Sequence, residues 1–254
     1  MDSLIFLGTG GGRFVTPTQL RATGGIVYKT GNHQIHIDPG PGALLRCKEC
    51  KINPFDTDII IVTHTHIDHS NDLNIMVEAV TKSTMEKRGT LITVNSVLEE
   101  KVLSEYHRKL LGKIAILKPG ETLELEGLTI EATKCKHSHE EVIGIKFKTK
   151  DYTIYLTGDT KNYPGFEKNF EGADLVIANA ALPASRELPY HMSTKDLIET
   201  LKLVKDKPGK VVITHFGHEM INLGPEVEAE RIEKETGVKI EAAKDGMVLT
   251  LQHK

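Results

Sequence analysis

Four side chains able to hold a metal ion fall within six positions in Thr63-His64-Thr65-His66-Ile67-Asp68-His69. Neutral imidazole nitrogens with a hard carboxylate suit zinc, iron or manganese. One loop histidine is ordinarily no ligand, whereas three with an aspartate at this spacing read as a metal site. The cluster stands directly behind Asp58-Ile59-Ile60-Ile61-Val62. That β-branched apolar run, opened by Pro54 and Asp56, reads as a central strand with both faces covered. The ligands then lie on the rim of a sheet, in a loop held by a rigid element. A helix is predicted over 71–87.

The elements that must position this cluster alternate between strands and helices. Ser3 to Leu7 reads as a strand followed by Gly8-Thr9-Gly10-Gly11-Gly12-Arg13, where glycines let a loop approach a ligand closely. A dinucleotide fingerprint would need a third glycine at Arg13 and a helix, and no clear helix is expected before Pro17. Gly25 to Tyr28 and Gln34 to Ile37 read as a hairpin, Asp38-Pro39-Gly40-Pro41-Gly42 breaks the strand, and Ala43 to Glu49 starts a helix. Further on, strands are expected at 90–94, 113–117, 123–126, 129–134, 142–149, 153–156, 174–178, 210–214, 238–241 and 247–251. Helices are expected at 98–111, 193–204 (capped by Ser193 or Thr194) and 225–236. No linker or low-complexity segment cuts the chain, so residues 1–254 are expected to form a single domain of the α/β or α+β class.

Of 254 residues, 39% are hydrophobic and 26% charged, enough apolar residues to bury a full core. No apolar run approaches the ~20 residues of a membrane span, and Leu4-Ile5-Phe6-Leu7 is too short for a signal peptide, so a cytoplasmic location without membrane attachment is expected. Three cysteines argue against a disulfide framework. Cys47-x-x-Cys50 lacks a second pair to complete a zinc knuckle and reads as two thiols on successive helical turns. A net charge of −3 is not the basic footprint of a dedicated nucleic-acid binder.

His64-x-His66-x-Asp68-His69 resembles the signature of the metallo-β-lactamase superfamily of binuclear metallohydrolases. The resemblance implies a four-layer αββα sandwich and further ligands on later strand ends, and the chain supplies them in order. Thr157-Gly158-Asp159-Thr160 follows one strand, Asp159 matching the family's bridging carboxylate; His215-Phe216-Gly217-His218 follows another, His215 matching its last histidine ligand. Lys136-His137-Ser138-His139 offers two imidazoles. The family pattern places a glycine seven positions after the ligand, which sets Gly144 opposite His137 and selects it over His139. As the resemblance implies, His64, His66 and His137 hold one divalent ion, Asp68, His69 and His215 the second, with Asp159 shared. The ions are expected to be zinc, with manganese or iron as alternatives, and Asp68 to be catalytic as well as a ligand. Such a pair can lower the pKa of a bridging water from 15.7 to about 7. Two dications against two carboxylates and a hydroxide leave a net positive site, suited to an anionic substrate.

His191, in Tyr190-His191-Met192-Ser193, lies outside the ligand set just ahead of a helix. Ribonuclease Z and the small phosphodiesterases of the superfamily carry a histidine in a similar context, contacting the scissile phosphate, and Leu7-Gly8-Thr9-Gly10-Gly11 resembles the same branch. Against ribonuclease Z, only 22 positions separate His137 from Asp159, so no long substrate-gripping arm fits between them. A small or cyclic phosphodiester, or a nucleic-acid end, is the expected substrate. Lactone or thioester hydrolysis and tRNA 3′-processing are the alternatives. Homo-oligomerisation is left open.

Overall fold

The computed structural model describes residues 2–251 as a mixed α/β chain with two large sheets. Two compact units each contain one sheet.

The first unit, chiefly Thr16–Leu117, takes in strands β1 (Ser3–Phe6), β2 (Ile26–Thr30), β3 (His33–Ile37), β4 (Ile59–Val62), β5 (Arg88–Thr93) and β6 (Leu111–Ile116). A last strand, Val248–Thr250, pairs with β1. From that edge to β3 the pairing is antiparallel; from β3 to β6 it is parallel. All four residues of β4 are buried, as its apolar run predicts. Helices α2 (Ala43–Glu49), α3 (Ile67–Ser70), α4 (Leu73–Val80), α5 (Ser96–Glu99) and α6 (Glu105–Leu110) follow the strands, after a short turn of helix, α1 (Val15–Thr18).

The second unit, chiefly Lys118–Ala243, contains β7 (Thr122–Leu125), β8 (Leu128–Lys134), β9 (Ile143–Lys148), β10 (Thr153–Leu156), β11 (Leu175–Leu182), β12 (Met192–Ser193), β13 (Lys210–Thr214) and β14 (Ile240–Ala242). Strands β7 to β10 form an antiparallel meander, and β10, β11, β13 and β14 run parallel. Helices α7 (Thr194–Leu203), α8 (His218–Leu223) and α9 (Pro225–Thr236) belong here. Leu197, Leu201 and Ile232 pack with Val176, Val211 and Ile213 in one core. Each such side chain contributes about 1.5–3 kcal/mol on burial. Ser193 caps α7 in a reciprocal capping box with Asp196.

Three expected elements differ. The helix expected over 71–87 is α4 alone, which starts at Leu73 and stops at Val80, because Lys82, Ser83 and Thr84 all take left-handed backbone angles that no helix continues through. The helix expected over 98–111 is α5 and α6, split at left-handed Lys101 and restarted where Ser104 accepts a hydrogen bond from the His107 amide. The strand expected over 174–178 runs on to Leu182, because its pairing with β13 continues to Asn179 and β12 then takes over. All three cysteines are free thiols; burial pushes the Cys47 thiol up to about 12, which keeps it protonated and unreactive. No helix among the described residues is long and apolar enough to cross a membrane.

Candidate metal centre

In the first unit, β3 and β4 are parallel neighbours, so their carboxyl ends open on the same edge of the sheet. Asp38 stands just beyond β3 and His64 just beyond β4. The Asp38 carboxylate accepts from the Thr63 amide at 2.7 Å and from Thr63 Oγ1 at 2.8 Å. His69 Nδ1 donates to Asp38 Oδ2 at 2.8 Å, which assigns the proton to Nδ1 and leaves Nε2 as a donor atom for a metal. Thr63 Oγ1, having given its proton to Asp38, accepts from His64 Nδ1 at 3.1 Å, so His64 also presents Nε2. That Nε2 faces His66 Nδ1 at 2.9 Å. Asp68 and His69 lie on the single turn of α3, with Asp68 Oδ2 3.8 Å from His69 Nε2. Asp38 thus orients two of the predicted ligands. In the sequence Asp38 reads only as part of a strand breaker; the signal of its role is a carboxylate directly after a strand that neighbours the ligand strand.

In the second unit, β8, β10 and β13 point the same way, and each delivers one candidate just past its carboxyl end. These are His137, Asp159 and His215, where the motif spacing placed them. His137 Nδ1 donates to the Tyr190 carbonyl at 2.8 Å, and its Nε2 lies 3.9 Å from Asp159 Oδ2. His215 Nε2 is 3.3 Å from Asp159 Oδ1. The side chain of Asp159, 2% exposed, is held by Asn179 Nδ2 at 2.8 Å, a partner not singled out from sequence. His139, the rival of His137, belongs to no metal-competent cluster among the described residues.

Two backbone features secure this arrangement. Gly158 turns at φ 61° before Asp159, where a Cβ would meet the Ile143 carbonyl at 2.8 Å. His215 itself adopts φ 61°, a left-handed conformation costing on the order of 1–3 kcal/mol for a non-glycine residue. Strain of that size persists where surrounding contacts hold it. Here the Gly10–Gly11 segment does so, through a parallel bridge of Gly10 to Phe216 and a hydrogen bond from the Gly11 amide to the Phe216 carbonyl at 3.1 Å.

His191 also reaches this group. Its Nδ1 lies 3.8 Å from Asp159 Oδ2, its ring packs edge-on to His137 at 4.8 Å, and it stacks at 6.2 Å on His215. The loop that carries it is fastened at both ends. Glu228 on α9 accepts from the Ala184 amide at 3.0 Å and from Thr194 Oγ1, while Asp196 accepts from the Ser193 amide and from Lys161 Nζ.

Imidazoles of fixed tautomer, with carboxylates among them (Asp159 buried, Asp68 partly buried), are the donor set of a divalent metal centre, and the side chains present fit such an ion. A family model described as the Beta-lactamase superfamily domain matches residues 33–216. The chain belongs to the metallo-β-lactamase superfamily of metal-dependent hydrolases. A protein of Methanocaldococcus jannaschii is 37% identical over 98% of this chain and 94% of its own length. A metal-dependent hydrolase of Thermoplasma volcanium is 32% identical over 69% of this chain and 73% of its own. Among solved structures, the metallo-β-lactamase fold protein YhfI of Bacillus subtilis aligns with a TM-score of 0.84 at 20% identity, over 98% of each chain. The short form of human tRNase Z aligns at 0.78 and 17% identity, over 99% of this chain and all of that one. These likenesses share the superfamily's fold.

Proposed function

We propose that the protein hydrolyses phosphodiesters at a binuclear site, with His64, His66 and His137 on one cation, Asp68, His69 and His215 on the other, and Asp159 shared. Divalent cations bound there, zinc being the best match to the donors, would bring a water's pKa toward neutrality and offset the charge of the substrate. Asp38 holds His64 and His69 in the tautomer that binding requires. Asn179 holds the Asp159 carboxylate. Asp68 takes the proton of the attacking water.

The observation that carries the phosphodiester reading is His191. It is 26% exposed, lies beside Asp159, His137 and His215, and stands outside the seven residues assigned to the two cations, although its own grouping with Asp159 and His215 also has the spacing of a metal donor set. An imidazole so placed donates a hydrogen bond or proton as charge builds on the phosphate oxygens and leaving group. The fold likeness to tRNase Z supports the same bond class. Only a β9–β10 hairpin separates His137 from Asp159, which favours a small or cyclic diester, or a nucleic-acid end, over a folded tRNA.

Bis-aryl phosphodiesters, 2′,3′-cyclic nucleotides, lactones and thioesters assayed on one sample, with metal content measured, test the reading. Diester turnover should exceed the other classes, and His191→Ala should keep its metal while losing ~10²–10⁴-fold in kcat on diesters with poor leaving groups. Faster lactone or thioester turnover, with His191→Ala unaffected on diesters, would assign the site to those bonds instead.

A further inference from the structure

Beyond the hydrolytic site, we propose that Phe14 and His218 form a stacking subsite for the base of a nucleotidyl phosphodiester, a substrate class that rests on the phosphodiesterase reading. Phe14 is 77% exposed. Its ring lies 6.4 Å from that of His218, tilted by 45°. Exposure of one apolar side chain means little by itself. Here the loop is pinned where exposure is costly to explain otherwise. Gly10 and Gly11 bond to Phe216, next to His215, and Gly12, at φ 80°, turns the chain so that Arg13 and Phe14 follow immediately, both exposed.

The subsite is therefore tethered on both sides to the strand end that delivers His215. Phe14 stands three residues past the glycine that abuts the His215 ring, and His218 three residues past His215 itself. Asn222 Nδ2, 3.3 Å and 3.4 Å from the two ring nitrogens, steadies the imidazole, and an Arg186–Glu219 ion pair at 3.5 Å borders it. Two exposed aromatic rings suit a flat base, since every base offers a π-face, and exposed Arg13, next to Phe14 in the chain, adds a positive charge to the same segment, of the sign a phosphate needs. An aliphatic ester would gain nothing from that pair.

The chain contains no tryptophan, so Phe14→Trp places a sole indole emitter at the subsite. Thymidine 5′-monophosphate should quench it saturably, deoxyribose 5-phosphate should not, and His218→Ala in the same background should weaken the response. Phe55→Trp, at a site 43% exposed in the first unit, controls for collisional quenching. In turnover, thymidine and methyl esters sharing a 4-nitrophenolate leaving group are compared. Phe14→Ala should raise KM for the thymidine ester relative to the methyl ester by about 5- to 150-fold, and Phe14→Tyr should restore it. Quenching that is linear and alike in both tryptophan variants, or equal with deoxyribose 5-phosphate, overturns the subsite. Absence of diester turnover in the wild type would defeat the phosphodiesterase reading alone, because saturable quenching tests the subsite without catalysis.

Discussion

Gly11→Ala should disable the centre by moving one candidate ligand. A Cβ at Gly11 would sit 2.2 Å from His215 Cε1 and 2.3 Å from both ring nitrogens. Ordinary contact begins near 3.4 Å, so the ring must withdraw by about 1.2 Å. The backbone at Gly11 is not left-handed, so alanine meets no torsional penalty of its own and the collision is isolated. His215 cannot yield easily, because its own left-handed backbone and the Phe216 bridge fix where the ring emerges. Misplacing a group by about 1 Å can cost ~10²-fold in rate. Gly11→Ala should therefore lose at least about that factor in kcat/KM and release metal more readily to a chelator. Urea unfolding of the same sample separates this from general destabilisation. If Gly11→Ala kept full metal content and turnover within twofold of wild type, the packing of this loop on His215 would be irrelevant to the site.

Other changes probe the remaining parts. His137→Ala should impair metal binding far more than His139→Ala, measured by metal analysis after dialysis; equal losses would reassign the ligand. Asp38→Asn leaves His64 and His69 without their anionic anchor and should weaken metal affinity by about 10–100-fold in a chelator competition, an unchanged affinity counting against the tautomer relay. His36, buried in β3 with Nε2 donating to the Gly24 carbonyl at 2.8 Å, has its pKa lowered to about 4 by desolvation. The folded pKa lies below the unfolded 6.5, so the unfolded chain binds the extra proton; its contribution is complete above pH 6.5 and falls away toward pH 4. The loss should approach roughly 3 kcal/mol. Urea unfolding of metal-free protein across that window should be flatter in His36→Gln; parallel curves would show that His36 titrates normally.

What the sequence determined by itself was local. His64, His66, Asp68 and His69 share one loop behind one apolar strand, and their types and spacing declare a metal site without any partner. The starts of α2, directly after Gly42, and of α9, at Pro225, were legible because both residues act within a turn. Asp159 and His215 were legible because each follows a β-branched strand with a motif attached. Tertiary structure decided the rest. Asp38 became the anchor of two histidines 26 and 31 positions later only because β3 and β4 lie side by side in parallel. Gly11 meets His215 across 204 positions, and Tyr190 fixes the tautomer of His137 across 53. Spacing and propensity report energies between near neighbours in the chain. Which nitrogen carries the proton, and which carbonyl or carboxylate holds it, depends on long-range strand pairing and loop approach, where the interacting groups have no fixed separation in sequence.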